Sequence, residues 1–468
     1  MTSVNQTYSD YQYISDCPIC QCARRRSIRT EPFVRMKAVE DPSKAADAVN
    51  PEEPAAVARI VLKGRPKTHE LPIPWVRLKS AASGHQLYKR MLGEVDPKAR
   101  PGDLVAVYDR CDAPYGVALY NPRSLIALRL LTRGIGAFDA EAFFMERIAT
   151  AAQFRREGLG LDAVSEAYRL VHDNGDGLPG LVIDRYGDCV ALEFYSLGMY
   201  KQAARIERAV KAFYPNARFF HRASPHTQSM EGFDLKPNMG TGTRVKENGV
   251  IFLVDPSSGY KTGFFTDQRD NRMALVPFAK GKKVLDVCSY TGGFGLYAKK
   301  LAGASEVTAV ELDCDAVELL KKNANANQVR IDTVCADAFP YLRQAGQNKR
   351  RYDLVVLDPY KLIANKEGYA LGRQKYIDLN RLGMTVLEPG GILVTCSCSG
   401  MLSWDEFLQF VRTAAGSEAD VVLEKPDGSV AAIEVKASVT MAASDFAALA
   451  ALRDQLGRKF HGGVVLYL

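Results

Sequence analysis

An α/β fold is predicted for the C-terminal half of this 468-residue chain, and three observations predict it. After Arg272, strand-like runs (KVLDVCSY, EVTAVELD, DTVCADAF, YDLVVLDP, GGILVTCS) alternate with helical stretches, one of them spanning Tyr369 to Val386. Such alternation argues for a parallel sheet covered on both faces. The first four runs each finish in a carboxylate, Asp286, Glu311, Asp337 and Asp358. They therefore line the strand ends where ligands of such sheets collect. At about 150 residues per domain the chain also has room for about three domains, and the text before Arg272 is of other kinds.

Residues 1 to 54 mix polar and charged residues with an Arg24-Arg25-Arg26 run and no sustained period, which predicts a disordered extension. Cys17, Cys20 and Cys22 lack a second Cys or His pair at zinc-finger spacing, so no metal is expected there or elsewhere. From Val57 to Arg133, short β-type runs broken by Gly, Pro and Asp predict a small β-barrel. A helix is expected from Phe138 to Leu159, a hairpin over GLVIDRYGDCVALEFY (180 to 195) and a helix from Met199 to Phe213. The runs ARFFHR and GVIFLVD are expected to close an α+β unit.

Apolar residues at 47% and charged residues at 25% exclude a wholly disordered chain. No apolar run reaches the roughly 18 residues of a membrane span and the first residues carry no signal-peptide core, so the expected location is the cytosol. Ten scattered cysteines suit reduced thiols better than a disulfide framework. The net charge of +7 is concentrated between Ala55 and Arg133, where 14 Lys/Arg face 6 Asp/Glu. A polyanion is the expected partner.

The first strand of the sheet runs from Asp286 into Tyr290-Thr291-Gly292-Gly293, where glycines let a ligand approach the backbone at a helix N-terminus. Glu311, 25 residues on, is placed to accept a ribose's hydroxyls. This pattern resembles class I S-adenosylmethionine-dependent methyltransferases, a Rossmann-like fold. The resemblance implies that Asp286, Tyr290, Gly292 and Gly293 hold the methionine part, Glu311 the ribose and Asp337 the adenine, with Asp358 also at the cofactor. The segments SSGYKTGFFTDQRDNR (257 to 272) and RLVHDNGDGLPGLVIDRYGD (169 to 188) further resemble bacterial large-subunit ribosomal RNA (cytosine-carbon-5) methyltransferases.

That family implies a PUA-like RNA-binding domain, a central α+β domain and a methyltransferase domain, here placed at 55–135, 136–256 and 257–416. Its implied ligands are S-adenosylmethionine and ribosomal RNA, with no membrane and no DNA; monomer and homodimer are both left open. Cytosine carbon 5 is a poor nucleophile until a thiolate adds to carbon 6, so a cysteine must stand beside the base. The family's SCSG motif aligns with Ser397 to Gly400, which makes Cys398 the expected nucleophile, with Cys396 in reserve, and Asp358 the group that hydrogen-bonds the base. Lys63, Arg65, Lys67, Arg77, Lys79 and Lys361 are expected to contact RNA.

Two departures qualify this reading. Asp358-Pro359-Tyr360-Lys361 replaces the usual DPPK, and its resemblance to the loop of amine methyltransferases leaves methylation of an exocyclic amine as the alternative. Residues 417–468 look foreign. Asp420, Glu434 and Lys436 resemble the D...ExK of a restriction-endonuclease-like domain found after certain AAA-type ATPases. The methyltransferase sheet is then incomplete, and a catalytically decayed RNA-binding protein is a further alternative.

Overall fold

The computed structural model describes residues 63–80, 84–235, 242–255 and 264–416, together with the backbone of three strands at 421–424, 430–436 and 460–467. Expectations for residues 1 to 54, for Cys17, Cys20 and Cys22 and for Asp420 lie outside the described residues. Two compact units emerge: 244–253 joins the chain from 267 onward, and the rest of the described residues form the other. Among the described residues no helix is long and apolar enough to cross a membrane.

The first unit opens with β1 (Trp75–Leu78), β2 (Gln86–Tyr88), β3 (Leu92–Val95), β4 (Leu104–Tyr108), β5 (Pro114–Tyr120) and β6 (Ile126–Arg133). They form one six-stranded sheet in the order β2-β6-β5-β4-β1-β3. Val76, Leu78, Val105, Val107, Ala118, Leu128 and Leu130 fill its core. Next come α1 (Ala140–Gln153), β7 (Ala167–His172), β8 (Leu181–Tyr186), β9 (Cys189–Phe194), α2 (Leu197–Lys201), α3 (Ala203–Lys211), β10 (Arg218–Arg222) and α4 (Pro225–Glu231). Asp139 caps α1 by accepting from the amide of Ala142 at 2.7 Å. The sheet β10-β9-β8-β7 packs Leu170, Ile183 and Leu192 against Phe144 and Ile148 of α1 and Ile206 of α3. Buried Glu231 ties α4 to the first sheet: it accepts from the Asn121 amide at 2.8 Å and pairs with Arg129 at 3.2 Å.

The second unit begins with the hairpin of β11 (Thr243–Glu247) and β12 (Val250–Val254), turned at Asn248 and Gly249, both left-handed with φ of 49° and 82°. An Asn-Gly pair is the residue choice a type I′ turn requires. Sequence grammar grouped GVIFLVD with the strands before it, but its hydrogen bonds run to this unit. Alternation follows: α5 (Arg269–Ala279), β13 (Lys283–Val287), α6 (Gly293–Lys300), β14 (Glu306–Glu311), α7 (Cys314–Ala326), β15 (Asp332–Cys335), α8 (Ala338–Gln347), β16 (Tyr352–Leu357), α9 (Tyr369–Thr385), β17 (Leu387–Thr395) and α10 (Trp404–Ala415). The sheet order is β15-β14-β13-β16-β17 and every pairing is parallel. All five strands therefore deliver their carboxyl ends to one edge. Asn327, which caps the end of α7, brackets Ile251 of β12 (2.9 and 2.7 Å), and Asn323 of α7 accepts from Leu253 N at 2.8 Å. Arg272 and Glu247, both buried, pair at 2.6 Å behind the hairpin.

The last three strands, β18 (Val421–Glu424), β19 (Val430–Lys436) and β20 (Phe460–Tyr467), form a sheet of their own. They do not extend the parallel sheet, so β17 is its outermost strand among the described residues.

Candidate active site

At the end of β13 the chain leaves the sheet through a tight loop. Cys288, Tyr290 and Gly292 all take left-handed backbone angles, with φ of 58°, 48° and 89°. Only glycine adopts such an angle freely, and at Gly292 a Cβ would also meet Leu320 at 2.7 Å. The loop is fastened to β14: Ser289 N donates to Val310 O at 3.1 Å, and Tyr290 N donates to Glu311 Oε2 at 2.8 Å. Asn323 steadies the far side by donating to Thr291 O at 3.0 Å. Gly293 opens α6 over the side chain of Arg272.

Asp286 sits beneath this loop, fully buried. Its Oδ2 accepts from Gly295 N at 2.8 Å, and Oδ1 accepts from no group among the described residues. Burial pushes its carboxyl up to about 7, against the pull of the Gly295 amide. Ser289 Oγ is likewise buried without a partner. Glu311, half-buried, also accepts from the amides of Leu312 at 2.8 Å and Asp313 at 3.0 Å. Asp337 is exposed and caps α8 through Phe339 N at 2.8 Å.

Cys314 and Cys335 are joined in a disulfide, where scattered reduced thiols were expected. The parallel pairing of β14 with β15 puts Glu311 opposite Cys335, and the first residue of α7 then falls within bridging distance, Cα to Cα 5.4 Å. A spacing of 21 residues carries no trace of that neighbourhood. The bridge lies between Glu311 and Asp337 along the edge.

At the other end of the edge stand β16 and β17. Asp358 N donates to Val287 O at 3.2 Å, and its Oδ1 accepts from Gln268 Nε2 at 3.1 Å; Gln268 in turn accepts from Asn271 at 2.7 Å. Tyr360, 66% exposed, and exposed Lys361 follow. The two candidate thiols have different surroundings. Cys396 hydrogen-bonds Leu357 O through its amide at 2.8 Å and packs with Leu354 and Val284, and burial together with Asp358 holds its thiol well above the ordinary value. Cys398 is exposed, with its sulfur 3.8 Å from Pro359 O. Ser397 and Ser399 on either side are both gripped by Tyr376.

Comparison with known proteins decides what this edge belongs to. A model described as an S-adenosylmethionine-dependent methyltransferase matches residues 221–438, and a PUA-like domain model matches 77–133. The chain is 33% identical over 365 residues to a protein of Photobacterium profundum named ribosomal RNA large subunit methyltransferase I, covering 76% of this chain and 89% of that one. The protein of that name from Pseudoalteromonas atlantica is 34% identical over 332 residues, 69% and 84% of the two chains. The chain belongs to the ribosomal RNA large subunit methyltransferase I family. A protein assigned as a methyltransferase and crystallised with SAH shares the fold, with a TM-score of 0.58 at 23% identity over 74% of this chain and 90% of that one.

As a member of this family the chain uses S-adenosylmethionine, and the residues present fit it. An orphaned buried carboxylate oxygen on Asp286, an orphaned hydroxyl on Ser289 and acids at three successive strand ends offer acceptors for an ammonium group and a ribose. The methyltransferase model runs through Glu434 and Lys436, of which only the backbone is described. Lys63, Arg65 and Lys67, which precede the PUA-like match, and Lys79 within it are exposed. Arg77 is not: it is 4% exposed, with its guanidinium bonded to Glu94 and Asp112, each at 2.7 Å, and to Gly64 O at 2.9 Å. It is a structural cation of the six-stranded sheet and not an RNA contact, because so little of its surface is exposed that a phosphate cannot reach it. Sequence reasoning assigned no role to Gln268 and Tyr376. Gln268 stood inside TDQRDNR, whereas Tyr376 is one apolar position of a long helix and gave no signal.

Proposed function

We propose that this chain methylates carbon 5 of a cytosine in large-subunit ribosomal RNA, with Cys398 as the nucleophile. The observation that carries the reading is the contrast at the end of β17: Cys398 is exposed beside Pro359, while Cys396 is half-buried against the sheet's core with its ionisation suppressed. Only a thiolate adds to the pyrimidine. Bound S-adenosylmethionine supplies an electrophilic methyl group at this edge. The Cys398 sulfur bonds to carbon 6, which makes carbon 5 electron-rich enough to take the methyl from the sulfonium, whose sulfur–methyl bond would break to leave S-adenosylhomocysteine. A base then removes the carbon-5 proton, and the carbon-sulfur bond breaks to return the thiolate. Asp358, steadied by Gln268, hydrogen-bonds the base and favours its electrophilic form.

In this reading residues 55–135 hold RNA through Lys63, Arg65, Lys67 and Lys79, residues 136–256 form a central domain, and Lys361 touches RNA at the methyltransferase site. The substrate places the work in the cytosol. The relatives' shared name supports ribosomal RNA as substrate. The target base must be unstacked to reach Cys398, at roughly a few kcal/mol unless it already lies in a loop.

Purified protein incubated with S-adenosylmethionine and unmodified large-subunit ribosomal RNA, followed by mass spectrometry of the nucleosides, tests the proposal. 5-Methylcytosine that disappears in Cys398→Ala supports it. Exposed Tyr360 beside Asp358-Pro359 favours one second reading, transfer to an exocyclic amine; a methylated amine that survives Cys398→Ala would establish that instead.

A further inference from the structure

Tyr376 is fully buried in the middle of α9. Its hydroxyl lies 2.8 Å from Ser397 Oγ and 3.0 Å from Ser399 Oγ, the two side chains that flank Cys398. Ser399 Oγ also accepts from Ile363 N at 3.1 Å, and Ser397 Oγ from Ser399 N at 3.3 Å. One buried hydroxyl thus fastens the turn that presents Cys398 to the segment that follows Asp358 and Pro359. The ring is held in turn by an edge-on contact with Phe407, centroids 5.7 Å apart. Asn380 donates to Tyr376 O at 2.8 Å and fixes the backbone there. A phenol has one proton to give and lone pairs to accept with, so it can serve both serines at once. Burial keeps that proton in place by raising the phenol above its ordinary value.

We propose that Tyr376 is a positioning residue for methyl transfer: through Ser397 and Ser399 it holds the Cys398 sulfur beside the Asp358-Pro359 turn. The inference rests on Cys398 being the nucleophile. Loss of one hydroxyl leaves the helix, the ring packing and the cofactor loop intact, so the defect is confined to the reacting geometry. Misplacement of a reacting group by about 1 Å costs on the order of a hundredfold in rate.

The test compares Tyr376→Phe, Ser397→Ala with Ser399→Ala, the three changes combined, and Cys398→Ala. Single-turnover methylation of ribosomal RNA, S-adenosylmethionine affinity, the thermal midpoint and trapping of the covalent adduct on 5-fluorocytosine-substituted RNA are measured. Tyr376→Phe is expected to slow transfer and adduct formation together by about tenfold or more at saturating RNA, with KM and cofactor affinity changed by less than about twofold. The combined variant should be no slower than the worse of its two parts, because all three hydroxyls act through one clamp. Wild-type rates in Tyr376→Phe, a parallel loss of cofactor affinity and midpoint, or additive effects would each overturn the proposal. If Cys398→Ala still transfers methyl, the nucleophile assignment itself has failed and the clamp falls with it. A dead Cys398→Ala beside an unimpaired Tyr376→Phe retires the clamp alone.

Discussion

The two ends of the strand-terminal edge are built on opposite plans. Around β13 and β14 the polar groups are inside: Asp286 is fully buried, Ser289 is 7% exposed, and the loop that follows is tied to Glu311 through the backbone amide of Tyr290. Around β16 and β17 the chemical groups are outside: Cys398, Tyr360 and Lys361 are exposed, and only their supports, Gln268 and Tyr376, reach inward. On the proposed mechanism the difference follows from the two ligands. A small cofactor can be enclosed, so its site is shaped in advance by buried acceptors. A base that is part of a large RNA must enter from solvent, so its reactive groups stand at the surface and are kept in register from behind.

Changes at either end should therefore separate cleanly. Cys398→Ala is expected to lower methyl transfer by about a thousandfold or more while leaving S-adenosylmethionine affinity unchanged, read by product formation and calorimetry. Equal loss of both would erase the distinction between the two ends. Reversing Lys63, Arg65, Lys67 and Lys79 to glutamate is expected to weaken RNA binding by about a hundredfold at low salt and to flatten its salt dependence, with cofactor affinity intact. A filter-binding series over salt concentration measures both. Replacing Cys314 and Cys335 by alanine removes a covalent tie across 21 residues and should destabilise the unit by about 3 kcal/mol on a chain-entropy account. Thermal melts of the variant and of reductant-treated wild type should agree.

Asp286 gives the smallest effect and the most specific one. Its folded-state carboxyl at about 7 lies above the ordinary 3.8, so the fold prefers it protonated. Its contribution to stability is present below about pH 4 and is lost as pH rises toward 7. In the absence of cofactor, Asp286→Asn should melt higher than wild type at pH 8, by roughly 1–3 kcal/mol, and the gap should close toward pH 4. Cofactor affinity should run the other way: in wild type it should weaken below pH 7 by up to about tenfold per unit, and in Asp286→Asn it should be poor at every pH.

Much of the parallel sheet was legible because alternation of strands and helices is a local signal repeated five times, and the acids at its strand ends fell at visible intervals. Cys398 was singled out for a different reason, since SCSG is a short motif at a strand end, and the structure adds that its thiol is exposed there. What stayed hidden is what depends on packing between distant segments. The Cys314-Cys335 bridge needs the β14-β15 register, the grip of Tyr376 needs α9 laid beside the end of β17, and the burial of Arg77 needs Glu94 and Asp112 folded onto it. A basic residue in a basic segment reads as surface until its acidic neighbours are placed in space. The hairpin of β11 and β12 was misgrouped for a related reason, since its partners lie about 70 residues downstream on α7.

That hairpin has a further consequence. Two strands alone leave an outer row of amide and carbonyl groups ready to template another chain, which is how sheets recruit unwanted partners. Here the outward groups of Ile251 and Leu253 are met by the side-chain amides of Asn327 and Asn323. A helix thus imitates a third strand one residue at a time, and stops there. At Ile251 and Leu253 the outward groups of β12 are thus already taken by two asparagines, so this stretch of edge offers another chain no free ladder to pair with.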